Sequence, residues 1–365
     1  MVETIRQAKE WLDTVSFVEF KNDMEKCVIG QKNLTLVLAQ VRNYIEAIAY
    51  GRPVDHNFII AAPSGSGKTE TYRALRNYFR ETIPSFTVSI TDVSQITATG
   101  FRGMDASEIV MDFCSEGDLF PSGICFLDEF DKKLIPSYTA QGSNVSAETQ
   151  SNLLTLVEGT RISIPIRGSS EKKIQQVIDT SRIMFVGMGS FDGFRKEQED
   201  TKDPVGFGRE PIKRGHFSEI TKEDMIATGA LYELIGRFPV VINYERLSKE
   251  GTKKVIAKIA GNVGKTFNCD IDIKRSFESY LQEKAQSKFG CRELDGIIRE
   301  AVLREYVKVL NEEPLKNKVL VVELINETKT SHKWRDLNKE EKARKEMIRK
   351  FFEEAEKERN EEVFS

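Results

Sequence analysis

The chain has 365 residues, enough for two domains with extensions and a full hydrophobic core. Lysine and arginine number 54 against 57 aspartates and glutamates, a formal net charge of −3, which gives no electrostatic case for nucleic acid as the main partner. No uncharged apolar stretch reaches the ~20 residues of a membrane span, and the five scattered cysteines contain no C-x-x-C pair, which excludes a zinc module built from cysteines.

Glu3, Arg6, Lys9 and Glu10 interrupt any secretory-signal core near the start, and the odd number and scatter of the cysteines fit a soluble protein in a reducing cytoplasm. Residues 1–26 are expected to form a charged helical segment with Trp11, Leu12, Val15 and Val18 as its apolar stripe. The spacing predicts a helix over Leu34 to Ala49, stopped by Gly51-Arg52-Pro53. From Phe58 onward, strand patterns alternate with helix patterns, which implies an α/β unit with a parallel sheet wrapped by helices. Strands are expected at Phe58 to Ala61, Thr87 to Ile90, Ile124 to Leu127 and Ile183 to Gly187, and residues 192–222 read as a long exposed loop.

A second unit is expected from about Leu247, with helices around Val255 to Ile259, Phe277 to Ala285 and Leu294 to Leu310 and a strand at Val319 to Leu324. After His332 the sequence reads as a charged helix running to Ser365. Met347, Ile348, Phe351, Phe352 and Ala355 form a narrow apolar face on it, either docked on the protein or open to a partner. The expected domains are therefore 1–26, 27–246, 247–330 and 331–365.

Two motifs carry chemistry. Ala62-Pro63-Ser64-Gly65-Ser66-Gly67-Lys68-Thr69 follows the first apolar strand and opens a helix. Glycines at these positions let successive backbone N–H groups converge on phosphate oxygens, and the helix adds its positive end. Pro63, Ser64, Gly65, Ser66, Gly67, Lys68, Thr69 and Glu70 are therefore candidate nucleotide-binding residues. Lys68 would reach the β and γ oxygens, and the Thr69 hydroxyl would hold Mg²⁺. The usual first glycine is Ala62, which the loop tolerates if its φ is negative. The second motif is Asp128-Glu129, directly after the apolar run Ile124 to Leu127. A carboxylate at the end of a buried strand can hold the metal, and its neighbour can deprotonate the attacking water. Asp128 is assigned to the metal and Glu129 to the water, making ATP and Mg²⁺ the expected ligands. Asp131, next in the loop, reads more simply as one half of a surface ion pair.

With these residues in view, the chain resembles the AAA+ unfoldase subunit of the Clp protease, the ClpX type, over residues 24–324. The resemblance is carried by Val28-Ile29-Gly30-Gln31, the phosphate loop, Leu127 to Lys132, Asn152 to Thr160, Asp179 to Ile183, Ile235 to Val241 and Gly290 to Leu294, in that order. It implies an AAA+ phosphate-loop domain followed by a smaller, mainly helical α+β domain. By the same resemblance Val28 and Ile29 would flank the adenine. Arg237 would be an arginine finger reaching a neighbouring subunit's ATP, and Arg292 a sensor on the smaller domain. Gly100-Phe101-Arg102-Gly103 would be the pore loop that grips polypeptide, with Arg102 where the family carries a small apolar residue. Val205-Gly206-Phe207 would dock a ClpP-type peptidase.

The resemblance further implies a homo-hexameric ring that unfolds polypeptide substrates, with no nucleic acid, membrane or zinc as partner. A remodelling chaperone without a peptidase and a nucleic-acid motor are the alternatives. No counterpart of the family's N-terminal zinc-binding domain is seen in this sequence. The basic second pore motif is not preserved between Ile166 and Lys173, although Arg167, Lys172 and Lys173 lie nearby. The first sensor position, around Gly187 to Ser190, lacks an obvious polar match, with Ser190 a candidate.

Overall fold

The computed structural model describes residues 1–96, 105–114, 119–138, 144–167, 173–194, 219–287, 290–310, 312 and 317–350. The expected pore loop, Gly100 to Gly103, and the expected docking tip, Val205 to Phe207, lie outside the described residues. So do Phe351, Phe352 and Ala355. Two compact units are present, residues 1–248 and 249–365.

The first unit opens with α1 (Val2–Thr14), α2 (Phe17–Cys27) and α3 (Leu34–Ala49). Then follow β1 (Phe58–Ala61), α4 (Lys68–Thr82), β2 (Thr87–Asp92), β3 (Gly123–Asp128), α5 (Phe130–Leu134) and α6 (Val145–Val157). The unit closes with β4 (Arg161–Arg167), β5 (Lys173–Asp179), β6 (Ile183–Gly189), α7 (Lys222–Thr228), α8 (Tyr232–Gly236) and β7 (Val240–Asn243). Five strands form one parallel sheet in the order β2-β3-β6-β1-β7. β4 and β5 make a separate antiparallel hairpin that the sequence reading did not anticipate.

The central strands are apolar on both faces because both faces are covered. Phe58, Ile60, Ile124, Phe126, Met184 and Val186 turn to a core shared with α1 to α4. Their neighbours Ile59, Ala61, Cys125, Leu127, Ile183 and Phe185 turn to the opposite core with α5 to α8. The period of two along each strand thus sorts side chains between two helical layers.

The amino-terminal segment is not one helix. Ser16 caps α2 in a reciprocal capping box with Glu19, which restarts the helical phase. That shift corrects the expected stripe. Trp11 is buried and Leu12 and Val15 pack beside the core, but Val18 is 64% exposed, and Phe20 and Met24 take the inward positions. Both helices belong to the main core: Trp11 stacks edge-on against Phe20 and Phe79 and donates its indole N–H to the Tyr78 hydroxyl at 3.1 Å.

The second unit contains α9 (Lys249–Phe267), β8 (Asp270–Ile273), α10 (Arg275–Lys284), α11 (Arg292–Val309), β9 (Lys318–Leu324) and β10 (Thr330–Asp336). Its three strands run in the order β10-β9-β8, with β9 parallel to β8 and antiparallel to β10. Its core draws on Ile256, Val263, Phe277, Leu281, Leu294, Ile298, Val302, Leu320, Val322 and Leu324.

β10 corrects the expectation of a helix from residue 331. Thr330 and His332 bond to Glu305 of α11 while Ser331 and Lys333 bond to Glu323 of β9, a period of two hidden by polar residue types. The helix begins only at residue 339, and Met347 and Ile348 on it are 67% and 46% exposed. Among the described residues no helix is long and apolar enough to cross a membrane.

Candidate functional site

All five strands of the large sheet are parallel, so their carboxyl ends share one edge, the usual place for ligands in an open α/β sheet. Strand order decides what meets there. β6 lies between β1 and β3, with Ala61 level with Gly189 and Leu127 level with Gly187. The loop leaving β1 and the acids leaving β3 therefore flank the end of β6.

Ala62, Pro63 and Ser66 are buried, and Ser66 Oγ closes the turn by donating to the Pro63 carbonyl at 2.6 Å. Gly65 has φ 74° and Gly67 φ 104°, left-handed values that suit glycine and would strain any other residue. Ala62 is not among the residues of positive φ, so the alanine in the first glycine position is conformationally ordinary. Lys68 starts α4, is buried, and donates Nζ to the carbonyls of Ala62 and Pro63 at the mouth of the loop. Thr69 and Glu70 follow in the first turn, both partly accessible.

Gln31 holds the loop from behind. Its Nε2 donates to the Ser66 carbonyl at 2.6 Å and to the Glu245 carbonyl at 2.9 Å. The sequence reading included Gln31 in a matching segment but gave it no role. Of the two residues expected beside the adenine, Val28 is buried, its Cγ1 3.7 Å from where a Cβ on Gly67 would lie, and Ile29 is half-buried. Val28 is thus both core and the wall behind the loop.

Asp128 ends β3, and its Oδ1 accepts the Glu129 N–H at 3.0 Å. Glu129 has φ 55° and ψ 30°, a left-handed conformation uncommon for a side-chain-bearing residue and frequent at functional turns. Burial raises the Glu129 carboxyl above its ordinary value, and the neighbouring Asp131 and Asp128 charges add to this. A carboxylate made more basic in this way suits proton abstraction from water. Phe130 then turns into the core against Gly187 and Phe238, anchoring the acidic turn from below.

The residues present fit a magnesium nucleotide: a left-handed glycine cradle and a helix start for the phosphates, a lysine at the loop, a hydroxyl in the first turn of α4 and carboxylates at the end of β3. Asp131 does not stand at the surface as expected. It is 1% exposed and turned toward Ser190 and Phe191. Arg237 ends α8, and its Nη2 meets Glu158 Oε1 at 2.6 Å with the Arg side chain 53% exposed. Arg292 opens α11 of the second unit and is exposed.

Comparison with known proteins agrees with this chemistry. The AAA domain (Cdc48 subfamily) matches residues 54–241. The chain is similar to the "ATP-dependent Clp protease ATP-binding subunit ClpX" of Treponema denticola, 28% identical over 317 residues, covering 78% of this chain and 75% of that protein. It is also 28% identical over 320 residues to the protein of that name from Porphyromonas gingivalis, covering 78% and 76% of the two chains. Its counterpart from Borrelia duttonii is 25% identical over 313 residues, covering 78% and 68%. With the sheet order, the phosphate loop and the matched span together, this chain is an ATPase and belongs to the AAA family.

Proposed function

We propose that the protein is an ATP-driven protein unfoldase that works as a homo-hexameric ring and passes substrates to a ClpP-type peptidase. The observation that carries this reading is the convergence of the glycine loop, Lys68 and Asp128-Glu129 at one sheet edge, in a chain similar to ClpX proteins over most of its length.

Lys68 and the loop N–H groups bind and orient the β- and γ-phosphates of ATP. Thr69 and Asp128 would hold Mg²⁺, which when bound neutralises charge on the phosphate oxygens. The Glu129 carboxylate takes a proton from the water that attacks the γ-phosphorus, and ADP leaves with the β–γ bridging oxygen. Arg237 is exposed and paired with Glu158, and an exposed guanidinium suits action on the ATP of a neighbouring subunit. A residue working in trans needs a head-to-tail ring. Arg292 on the second unit links nucleotide state to movement of that unit, and Phe101 with Arg102 grips the polypeptide. Val205-Gly206-Phe207 carries the peptidase contact, and the cytoplasm is the compartment of action.

The test is assembly in ATPγS followed by capture with the host's own ClpP-type peptidase, wild type against Phe207→Ala. Native mass spectrometry should give six copies, and peptidase should be retained by wild type and lost by the variant. A wild-type ring that hydrolyses ATP but retains no peptidase would overturn delivery and leave a stand-alone remodelling chaperone. A chain that hydrolyses ATP as a monomer would overturn the ring.

A further inference from the structure

Asp131 is buried beside the site without a cation that offsets its charge well. Lys132 Nζ is 3.8 Å from Oδ2, and the lysine side chain is 53% exposed. Oδ2 accepts the Phe191 N–H at 3.0 Å and the Ser190 hydroxyl at 3.3 Å. Oδ1 is buried and has no hydrogen-bond partner among the described residues. A Cβ on Gly189 would lie 2.4 Å from that oxygen, so the carboxylate occupies space that only glycine leaves open. Burying a carboxylate with one oxygen unsatisfied is costly, and such a group in a native fold calls for a specific reason.

The surroundings supply one. Gly189 is the last residue of β6, and its carbonyl accepts the Ala62 N–H at 3.0 Å, while the Ala62 carbonyl accepts from Lys68 Nζ. Ser190 is therefore the next residue after a strand end hydrogen-bonded directly to the phosphate loop, and it lies between that loop and the Asp128-Glu129 turn. Phe191 has φ 54°, a left-handed backbone held by its N–H bond to Asp131. Asp131 thus fixes both the turn and the rotamer of Ser190.

The polarity of that contact matters. A hydroxyl has one proton, and Asp131 Oδ2, which also takes the Phe191 N–H, accepts it. With its proton committed to Asp131, Ser190 Oγ presents only lone pairs. It can receive a donor, such as a water molecule, and would repel a phosphate oxygen.

We propose that Asp131 is a positioning residue for ATP hydrolysis, and that through it Ser190 accepts a hydrogen bond from the attacking water rather than donating one to the γ-phosphate. This rests on the reading of the phosphate loop and Asp128-Glu129 as the hydrolytic site. Glu129 and Ser190 then hold the two hydrogens of one water, aligning its oxygen for attack.

The experiment compares full-length Ser190→Ala, Ser190→Thr, Asp131→Asn and Ser190→Ala/Asp131→Asn with wild type and Lys68→Ala. Turnover, ATPγS and ADP dissociation constants, and amide hydrogen exchange at Phe191 are measured on each. Ser190→Ala and Asp131→Asn should each lower kcat about tenfold, the double variant no further, and Ser190→Thr should restore it. Both nucleotide affinities should stay within about twofold of wild type, and Phe191 should exchange faster once the Asp131 carboxyl is replaced.

A selective loss of ATPγS affinity in Ser190→Ala would mean that the hydroxyl donates to the γ-phosphate, which overturns the proposal. Additive losses in the double variant would overturn it too. If Asp131→Asn melts early, Ser190→Ala against Ser190→Thr decides alone. Lys68→Ala separates the levels: retained nucleotide binding in that variant sinks the site itself. Lost binding there, with wild-type turnover in the serine and aspartate variants, sinks only this inference.

Discussion

At the scale of single residues, the proposed hydrolysis turns on Glu129. Its left-handed backbone, its burial and its two acidic neighbours arrange one basic carboxylate at the end of β3. Glu129→Gln keeps the shape and removes the proposed proton acceptor. The variant should bind ATP with wild-type affinity and hydrolyse it at least about 100-fold more slowly, measured by nucleotide binding beside phosphate release. The placement of Lys68, Thr69, Asp128 and Glu129 at one sheet edge was legible because each follows an apolar run that reads as a parallel strand. That of Gln31 and Asp131 was not. Gln31 acts on Ser66 across 35 residues, and Asp131 on Phe191 across 60, so their partners exist only once the sheet has formed. An aspartate in a charged loop gives no sign that it will be buried.

At the scale of elements, α1 and α2 show how tertiary packing decides what local patterning leaves open. The seat of Trp11 is made by Phe20, Tyr78 and Phe79, with the Arg42 guanidinium 5.5 Å from its ring centroid. Trp11→Ala empties a fully enclosed site in the first unit and should cost about 3–5 kcal/mol. Urea unfolding followed by circular dichroism would detect it, and a change within about 0.5 kcal/mol would mean that the segment is peripheral. The sequence exposed the helical period here but not the break at Ser16, because the capping box with Glu19 sits among residues that suit a continuous helix equally well. β10 was missed for a related reason. Thr330 and His332 bond to Glu305 and Ser331 and Lys333 to Glu323, yet all four are polar, so an alternation of partners leaves no alternation in hydropathy.

At the scale of the whole molecule, the two tryptophans fall one in each unit, Trp11 in the first and Trp334 in the second, giving each its own optical reporter. In the second unit β10 is tied to α11 through Glu305, which faces Lys308, Thr330 and His332, while the other His332 nitrogen faces Glu312. Burial alone would raise the Glu305 carboxyl, but the hydrogen bonds from Lys308, His332 and Thr330 outweigh it and hold the group at about 2. His332 is raised above its ordinary 6.5, first by its bond to Glu305.

The signs are opposite. The Glu305 contribution is complete above its ordinary 4.5 and is lost as pH falls toward about 2. The His332 contribution is complete below 6.5 and is lost as pH rises through its raised value. Urea unfolding read by Trp334 in a Trp11→Phe background should therefore show greatest stability between pH 4.5 and 6.5. The alkaline loss should be on the order of 1 kcal/mol and vanish in His332→Gln. An alkaline limb that survives His332→Gln would assign it to other groups.

The run from α2 into the nucleotide pocket also has a mechanical side. Cys27 ends the helix, and the next residue is Val28, whose N–H still bonds to Met24 while its side chain backs the phosphate loop. Tension applied at the amino terminus would load the aromatic seat on α4 first, and α4 begins at Lys68. There is no slack in that linkage. A cargo hung on the amino terminus would be tied directly to the phosphate loop, like a handle welded to the crank rather than a weight on a string.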